Sequence, residues 1–222
     1  MTQNALIIGA SGGIGAALGA ALERRGASVT RLSRSQDGFD VTDPASVETH
    51  VGALDGPFDL VIVATGALEI DGHMPEKSLK AITADSMAAQ FALNTIGPAL
   101  CLRHASRLLP RKGPSVWATL SARVGSIGDN RLGGWTSYRA AKAAVNQVVR
   151  CAAIELARTH KEAAIVSLHP GTVATKFTEK YLGRHGSVPA AEAAENLLSV
   201  IHGLNADQSG RFFDWSGADV PW

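Results

Sequence analysis

The chain is poor in the features that mark secreted, metal-binding and nucleic-acid-binding proteins. Its 222 residues include only two cysteines, Cys101 and Cys151, and their spacing suggests no pairing, so we expect reduced thiols and no disulfide. The 7 histidines form no HExxH motif or Cys/His cluster, so no metal site is predicted. A net charge of +1, from 21 basic and 20 acidic residues, lacks the basic surplus of a nucleic-acid binder.

Long hydrophobic runs are also absent. No stretch approaches the roughly 20 apolar residues that a membrane-spanning helix needs. The N-terminal sequence MTQNALIIGASGG has no basic segment, and its apolar run at residues 5–8 is too short for a signal peptide. We therefore expect a cytoplasmic protein that does not associate with membranes.

The chain does contain a regular alternation of strand-like and helical segments. Apolar, β-rich runs predict strands at residues 5–8, 28–32, 60–64, 115–120, 164–168 and 211–213. Helical spacing predicts helices at residues 14–25, 86–109, 137–160 and 190–202. This alternation is typical of βαβ units, and no linker or repeat interrupts it. The prediction is an α/β fold in one domain (1–222), a doubly wound, Rossmann-type parallel sheet with helices on both faces.

The first predicted strand runs into a glycine-rich turn, GASGGIG at residues 9–15. Gly9, Gly13 and Gly15 form the pattern GxxxGxG, which lets the backbone approach a pyrophosphate at a helix N-terminus. The turn also spells GxSxG around Ser11, the nucleophile-elbow pattern of α/β-hydrolases. Position opposes the hydrolase interpretation, because only eight residues precede Gly9 and such a sheet needs several strands upstream. A tight turn that merely requires glycine is the third interpretation.

The second predicted strand ends in the sequence LSRS, with no acidic residue to bind a ribose hydroxyl. Arg34, with Arg31 nearby, offers positive charge, and Ser33 and Ser35 offer hydroxyl donors. A guanidinium can hold a phosphate through two hydrogen bonds, so NADP(H) is favoured over NAD(H). The alternative is that Arg34 is an exposed loop cation. We expect Asp40 either to cap the next turn or to accept a hydrogen bond from the adenine amine.

Tyr138 and Lys142 stand four residues apart near the start of a predicted helix, so their side chains share one face. A tyrosine whose pKa is near 10 is a poor acid or base at neutral pH. A neighbouring ammonium and a nicotinamide cation favour the phenolate, and we expect them to lower the pKa of Tyr138 toward about 7. The alternative is an ordinary surface pair without a catalytic role.

Further motifs follow in order along the chain. They are DVTD at 40–43, Asn94, HPGTVAT at 169–175 and GRFF at 210–213. With the glycine turn and the Tyr138/Lys142 pair, they resemble the short-chain dehydrogenase/reductase family over essentially the whole chain. The segment GSIGDN at 125–130, followed by GGW at 133–135, is similar to the C-factor-like and small carbonyl-reductase-like subgroup.

The resemblance implies roles for particular residues. It makes Tyr138 the general acid of carbonyl reduction or the base of alcohol oxidation. It makes Lys142 the group that lowers the pKa of Tyr138 and binds the nicotinamide ribose. Asn94 is then the anchor of a water that links Lys142 to solvent, unless its amide bonds back to its own helix. The implied cofactor contacts are Gly9, Ser11, Gly13, Ile14, Gly15, Arg34, Asp40, Val41, Gly66, Tyr138, Lys142, Pro170, Val173 and Thr175.

The chain departs from the family pattern at three places. Ile8 stands where the family usually has Thr, and the sequence VATG at 63–66 replaces Asn-Asn-Ala-Gly. The second Ser of the family's Ser-Ser-x-x-Gly, which usually binds the substrate carbonyl, aligns with Ala122. Losing one such donor can cost about 10²–10³ in rate. Ser121 is our first candidate to replace it and Ser126 the second; otherwise Tyr138 works with reduced help.

Two functions remain open from the sequence. The leading hypothesis is an NADP(H)-dependent carbonyl reductase or alcohol dehydrogenase that acts on a small-molecule carbonyl or alcohol. The rival is a nucleotide-binding signalling or regulatory protein with little turnover. We expect residues 123–136, with Trp135, and residues 176–188, with Phe177, Tyr181 and His185, to select the substrate. The resemblance also implies a homodimer or homotetramer that associates through the helices predicted at 86–109 and 137–160.

Overall fold

Six strands form one parallel sheet at the centre of the computed structural model, which describes residues 3–175, 178, 180 and 186–222. The strands are β1 (Asn4–Ile8), β2 (Ser28–Leu32), β3 (Leu60–Val63), β4 (Ser115–Leu120), β5 (Ala163–His169) and β8 (Phe212–Asp214). Their order in the sheet is β2-β1-β3-β4-β5-β8. All six predicted strands are present, and each predicted end lies within one residue of the observed end.

Helices cover both faces of this sheet, as predicted. They are α1 (Gly13–Arg24), α2 (Arg34–Asp37), α3 (Pro44–His50), α4 (Ala84–Phe91), α5 (Gly97–Leu102), α6 (Ala105–Leu108), α7 (Thr136–Leu156) and α8 (Ala190–His202). Successive residues of a strand point to opposite faces, so Ala5 and Ile7 pack with α1 and α8, while Leu6 and Ile8 pack with α3, α5, α6 and α7. The sheet therefore has two buried apolar layers, which is why its strands read as continuous apolar runs. None of the described helices has the length and apolar character needed to cross a membrane.

The prediction of one helix over residues 86–109 is wrong. The segment comprises α4, a π-helical turn at Ala92–Ile96, α5 and, after a break, α6. Pro98 lies in the first turn of α5 and has no backbone N–H, so the ordinary bond to the carbonyl four residues earlier cannot form. A wider π-turn accommodates this loss, and such turns are frequent at functional sites.

Two short strands, β6 (Val173–Ala174) and β7 (Val188–Pro189), pair in parallel beyond the carboxyl end of β5. The sequence did not predict this pair. Phe177, Tyr181 and His185, which we expected to contact substrate, lie outside the described residues. Both cysteines are free thiols, Cys101 in the core and Cys151 on the surface of α7.

Candidate active site

The carboxyl ends of the central strands and the start of α7 enclose one cleft. It lies where β1 and β3 lead the chain to opposite sides of the sheet, the position at which doubly wound folds bind ligands. Nine of the predicted site residues line it: Gly13, Ile14, Gly66, Ser121, Tyr138, Lys142, Pro170, Val173 and Thr175. The structure therefore brings these nine residues together in one cleft, and the role of each stays a prediction.

The glycine turn provides a cradle that side chains would fill. At Gly9, whose φ is +93°, a Cβ would lie 2.8 Å from the carbonyl carbon of Ala64. A Cβ on Gly15 would collide with the carbonyl oxygen of Gly9, and one on Gly13 would lie 2.7 Å from Cγ2 of Thr175. The N-terminus of α1 has no side-chain cap and no acidic residue in its first turn. Its N–H groups and positive dipole end therefore suit a phosphate group.

Lys142 and Tyr138 lie one helical turn apart on the buried side of α7. The Lys142 side chain is 3% exposed, and its Nζ donates a hydrogen bond to the carbonyl oxygen of Leu120, 3.1 Å away. That Nζ lies 5.8 Å from the centre of the Tyr138 ring. The ring of Trp135, in the loop expected to select substrate, meets Tyr138 edge-on at 6.5 Å between centroids. The pair is buried in the cleft and is not an ordinary surface pair.

Burial decides the protonation of both groups. It raises the pKa of Tyr138 and lowers the pKa of Lys142 to about 8. In the chain alone, burial opposes the expected lowering of the Tyr138 pKa; the expectation for Lys142 together with a bound nicotinamide cation stays a prediction. Removing both groups from water outweighs the stabilisation that the ammonium gives to the phenolate. Tyr138 consequently holds its proton at neutral pH.

Asn94 connects the π-turn to the loop that follows β3. Its Nδ2 donates to the carbonyl oxygen of Ala67 at 2.9 Å and to Oε1 of Gln90 at 2.7 Å, and its Oδ1 accepts from the Ala67 N–H at 3.3 Å. A Cβ on Gly66 would lie 2.7 Å from Asn94 Oδ1 and 3.3 Å from Lys142 Nζ. The amide therefore makes a contact 27 residues away and a second bond to the Gln90 side chain four residues earlier, and neither bond goes to the backbone of its own helix.

The two candidate serines lie in different places. Ser121 follows β4, lines the cleft with Tyr138, and its hydroxyl lies at the 3.5 Å limit of a hydrogen bond to the Lys142 carbonyl. Ser126 is buried away from this cleft, and its Oγ accepts a hydrogen bond from the Asp129 N–H at 3.0 Å. The structure thus gives Ser121 access to a substrate, whereas Ser126 stabilises a turn. Ala122 lines the cleft without a hydroxyl.

The end of β2 lies beside the glycine turn, because the Gly9 and Ala10 N–H groups both donate to the carbonyl oxygen of Leu32. Arg34 is exposed there, at the first position of α2. Arg31 instead pairs with Glu23, which leaves Arg34 as the better placed of the two arginines.

Two other polar residues near the end of β2 also have internal partners. The Ser33 hydroxyl donates to Asp37 and caps α2. In the described structure it is therefore not the free hydrogen-bond donor that the sequence predicted. Asp40 accepts from the N–H and hydroxyl of Thr42, whereas Asp43 is the residue that caps α3; a contact of Asp40 with adenine stays a prediction. These bonds hold the pKa of the Asp40 carboxyl below its usual range.

Comparison with known proteins agrees with this geometry. The short-chain dehydrogenase/reductase model described as enoyl-(acyl carrier protein) reductase matches residues 9–201. The chain belongs to the short-chain dehydrogenase/reductase family. It is 31% identical to 1-hydroxy-2-glutathionyl-2-methyl-3-butene dehydrogenase of Rhodococcus sp. (strain AD45), over 98% of both chains. It is 40% identical to C-signal of Myxococcus xanthus over 139 residues, 61% of this chain and 78% of that protein.

Solved structures of the short-chain dehydrogenase/reductase family share the fold. The carbonyl reductase Sniffer of D. melanogaster superposes with a TM-score of 0.85 at 19% identity, with all of both chains covered. An NADPH-bound carbonyl reductase from chicken fatty liver superposes with a TM-score of 0.83 at 23% identity, covering 100% of this chain and 94% of the other. The family and the subgroup predicted from the motifs are confirmed.

One residue near the active site of this short-chain dehydrogenase/reductase gave no signal in the sequence. Glu76 is 4% exposed; its carboxylate accepts hydrogen bonds from the Ser137 hydroxyl and, at 3.3 Å, from the Ser137 N–H. Its carbonyl oxygen accepts from the Trp135 N–H at 2.6 Å. Trp135 has a φ of +52°, uncommon for a residue other than glycine. Glu76 thus fixes the start of α7 directly before Tyr138, from 61 residues away in sequence.

Proposed function

We propose that this protein is an NADP(H)-dependent oxidoreductase that reduces a small-molecule carbonyl compound or oxidises the corresponding alcohol. The observation that carries the proposal is the burial of Tyr138 and Lys142 beside Ser121, in the cleft that the glycine turn also lines. A protein that only binds a nucleotide has no need of a tyrosine at this position. NADPH, when bound, supplies the hydride.

The described residues suit a dinucleotide along the edge of the sheet. The glycine turn and the N-terminus of α1 hold the pyrophosphate, with Gly9, Ser11, Gly13, Ile14 and Gly15 as its contacts. Asp40, Val41 and Gly66 bind the adenosine side and the middle of the cofactor. Pro170, Val173 and Thr175 bind the nicotinamide carboxamide and so fix the ring face that meets the substrate.

Arg34 is the basis of the preference for NADP(H) over NAD(H). It is exposed beside the glycine turn, and within the described structure no acidic side chain forms an ion pair with it. A 2′-phosphate is the group that its guanidinium holds best. The NADPH-bound chicken enzyme and an NADP-bound family member from Burkholderia multivorans (24% identical, TM-score 0.80) support the same preference.

Tyr138 donates the proton that the substrate oxygen gains in reduction. Burial raises its pKa, which keeps it protonated at neutral pH but makes it a weaker acid, so the transfer depends on a positive charge that stabilises the phenolate. Lys142 stabilises the phenolate left behind, and its pKa of about 8 leaves most of it charged at pH 7. Asn94, whose Oδ1 lies beside Gly66 on the same side as Lys142 Nζ, anchors a water that returns the proton from solvent.

Ser121 supplies the second hydrogen bond to the substrate oxygen. Its place in the cleft beside Tyr138 supports this role, and Ala122 supplies no hydroxyl in competition. Preorganised donors of this kind act on the charge that develops as the bond to oxygen changes.

Oxidation of NADPH in the presence of an aldehyde and ketone panel tests the enzymatic function. We expect wild type to show carbonyl-dependent oxidation that Tyr138→Phe lacks. Carbonyl-independent, identical rates for both proteins would contradict the proposal.

A second candidate function is nucleotide-dependent signalling or regulation with little turnover. The 40% identity to the protein named C-signal, together with Ala122, favours it. In that case both wild type and Tyr138→Phe bind NADPH equally and neither turns over any carbonyl compound.

We also propose that the chain is one domain (1–222) that acts in the cytoplasm as a homodimer or homotetramer. The exposed apolar side chains of Ile96 and Ile154, 50% and 53% accessible, lie on the π-turn and on α7 and support association through these segments. Light scattering of the purified protein measures the assembly; a monomer at micromolar concentration would contradict this part of the proposal.

A further inference from the structure

His169, the last residue of β5, stands next to Ser121 at the edge of the sheet. The register pairs Leu120 with Leu168, so the residues that follow each of them are neighbours. Along each of the two strands, every second residue faces α7. Ser121 and His169 both fall in this series, so they lie on the side of the sheet that carries Tyr138. His169, Ser121 and Tyr138 all line the same cleft.

The His169 ring has hydrogen-bonding capacity that the chain does not use. Its Nδ1 is inaccessible to solvent and has no hydrogen-bond partner among the described residues. Buried polar atoms are paired in the great majority of cases, and one that borders a cleft is suited to a ligand.

Asp214 is the obvious partner for His169, because the two residues are paired across β5 and β8. The two side chains form no hydrogen bond in the described structure, however. Oδ1 of Asp214 accepts from the N–H and hydroxyl of Ser216 and from the Ala218 N–H, and its Oδ2 meets Arg123 at 3.5 Å. Asp214 therefore leaves the His169 ring available to the cleft.

The ring is neutral at physiological pH. Burial is the main cause that lowers the pKa of His169 to about 4; the charge of Arg123 adds to this effect, and that of Asp214 opposes it. A neutral imidazole offers one donor and one acceptor nitrogen. It therefore suits an uncharged polar group, such as a hydroxyl or a carbonyl, better than a carboxylate.

We infer that His169 is a specificity-determining residue that binds a second oxygen of the substrate, adjacent to the reacting carbonyl. The preferred substrates are then α-hydroxy ketones or α-dicarbonyl compounds, not simple ketones. These roles follow from the positions of the three residues. Tyr138 and Ser121 bind the reacting oxygen, and His169, one strand further along the sheet, binds the second oxygen of the substrate. Ala122 leaves room for this second group. The inference rests on the proposed function.

A matched pair of ketones tests it. 2-Hydroxyacetophenone and propiophenone have similar size, but only the first carries the second oxygen. We expect wild type to favour the hydroxy ketone in kcat/KM by roughly tenfold, the value of one good hydrogen bond. His169→Phe, which keeps the bulk and removes both nitrogens, loses this preference, and His169→Gln retains part of it.

Two controls separate substrate selection from other effects. His104→Gln changes a largely buried histidine outside the cleft and keeps the wild-type preference. The Kd for NADPH stays within about twofold in all variants. A preference that persists in His169→Phe, or a change confined to the Kd for NADPH, would overturn the inference.

A binding measurement keeps this test independent of turnover and of the variants' folding. The wild-type complex with NADP⁺, which has no hydride to give to a ketone, is labelled with ¹⁵N-histidine and titrated with the same two ketones. We expect the hydroxy ketone to bind more tightly and to shift the His169 ring nitrogens, and propiophenone to leave them unchanged. If this occurs without turnover, the proposed function fails and the inference stands. If turnover occurs while both ketones have equal kcat/KM and equal effects on the ring, the inference fails and the function stands. Equal effects without turnover overturn both.

Discussion

The Nζ atom of Lys142 donates a hydrogen bond to the carbonyl oxygen of Leu120, 3.1 Å away. Leu120 ends β4, and the next residue is Ser121. One bond therefore ties the ammonium on α7 to the strand end that presents the serine. Lys142, Tyr138 and Ser121, the three groups proposed to act on the proton and the substrate oxygen, are therefore held in fixed positions before any substrate binds. Such preorganisation is a large part of catalysis.

The pKa of Lys142 predicts opposite effects of alkaline pH on activity and stability. As pH rises through about 8, Lys142 loses its proton, so kcat/KM falls because the phenolate of Tyr138 loses its stabilising charge. The ordinary pKa of this side chain is 10.5, so between pH 8 and 10.5 the unfolded chain binds more protons at this site than the folded chain. This group therefore makes the free energy of unfolding rise with pH over that window.

Lys142→Met checks both effects. We expect the variant to have a low kcat/KM that no longer declines above pH 8. We also expect its free energy of unfolding to rise less with pH than that of wild type. Denaturant titrations at several pH values measure the second effect. Parallel stability profiles for the two proteins would show that Lys142 has no depressed pKa.

Glu76 is predicted to position Tyr138 through Ser137. Glu76→Ala leaves two donors at the start of α7 without their acceptor, which we expect to cost about 1–3 kcal/mol of stability and to lower kcat. Glu76→Gln keeps an acceptor oxygen and restores much of kcat. Chemical denaturation and steady-state kinetics measure the two effects, and the exposed Glu192→Ala serves as the matched control. A kcat for Glu76→Ala equal to that of the control would remove Glu76 from this role.

Ser121 and Ser126 are separated by their surroundings. Ser121→Ala removes a hydroxyl from the cleft, and we expect kcat/KM to fall by about 10²-fold with little change in stability. Ser126→Ala removes an acceptor for the Asp129 N–H, so it lowers stability by about 1 kcal/mol and changes kcat/KM much less. If neither change lowers kcat/KM by tenfold, no serine of this pair assists Tyr138.

Arg34 is predicted to discriminate between the two nicotinamide cofactors. Arg34→Ala weakens NADPH binding by roughly 10- to 100-fold, the worth of a hydrogen bond between charged groups, and leaves NADH binding unchanged. Arg31→Ala is the control, because Arg31 is paired with Glu23. Fluorescence titration gives both Kd values. An unchanged ratio of the two Kd values in Arg34→Ala would contradict the assignment.

Local patterns predicted the fold well, because the apolar pattern that indicates a strand or a helix is contained within that short segment of sequence. Apolar runs located β1 to β5 within one residue, and the glycine turn located the cleft. The exceptions depend on distant contacts. Asn94 meets the loop at Ala67, and the buried carboxylate of Glu76 meets Ser137, only in the folded chain. The burial that raises the pKa of Tyr138 in the chain alone belongs with these exceptions, since burial cannot be read from the i, i+4 spacing of two side chains.

The most direct test of the central claim compares Tyr138→Phe with wild type at saturating NADPH. The phenol is the proposed proton donor, and phenylalanine keeps its ring in the buried site while removing the hydroxyl. We predict that kcat/KM for the best ketone falls by about 10²–10⁴-fold, while the Kd for NADPH stays within twofold. Equal kcat/KM values for the two proteins would contradict the claim that Tyr138 moves the proton.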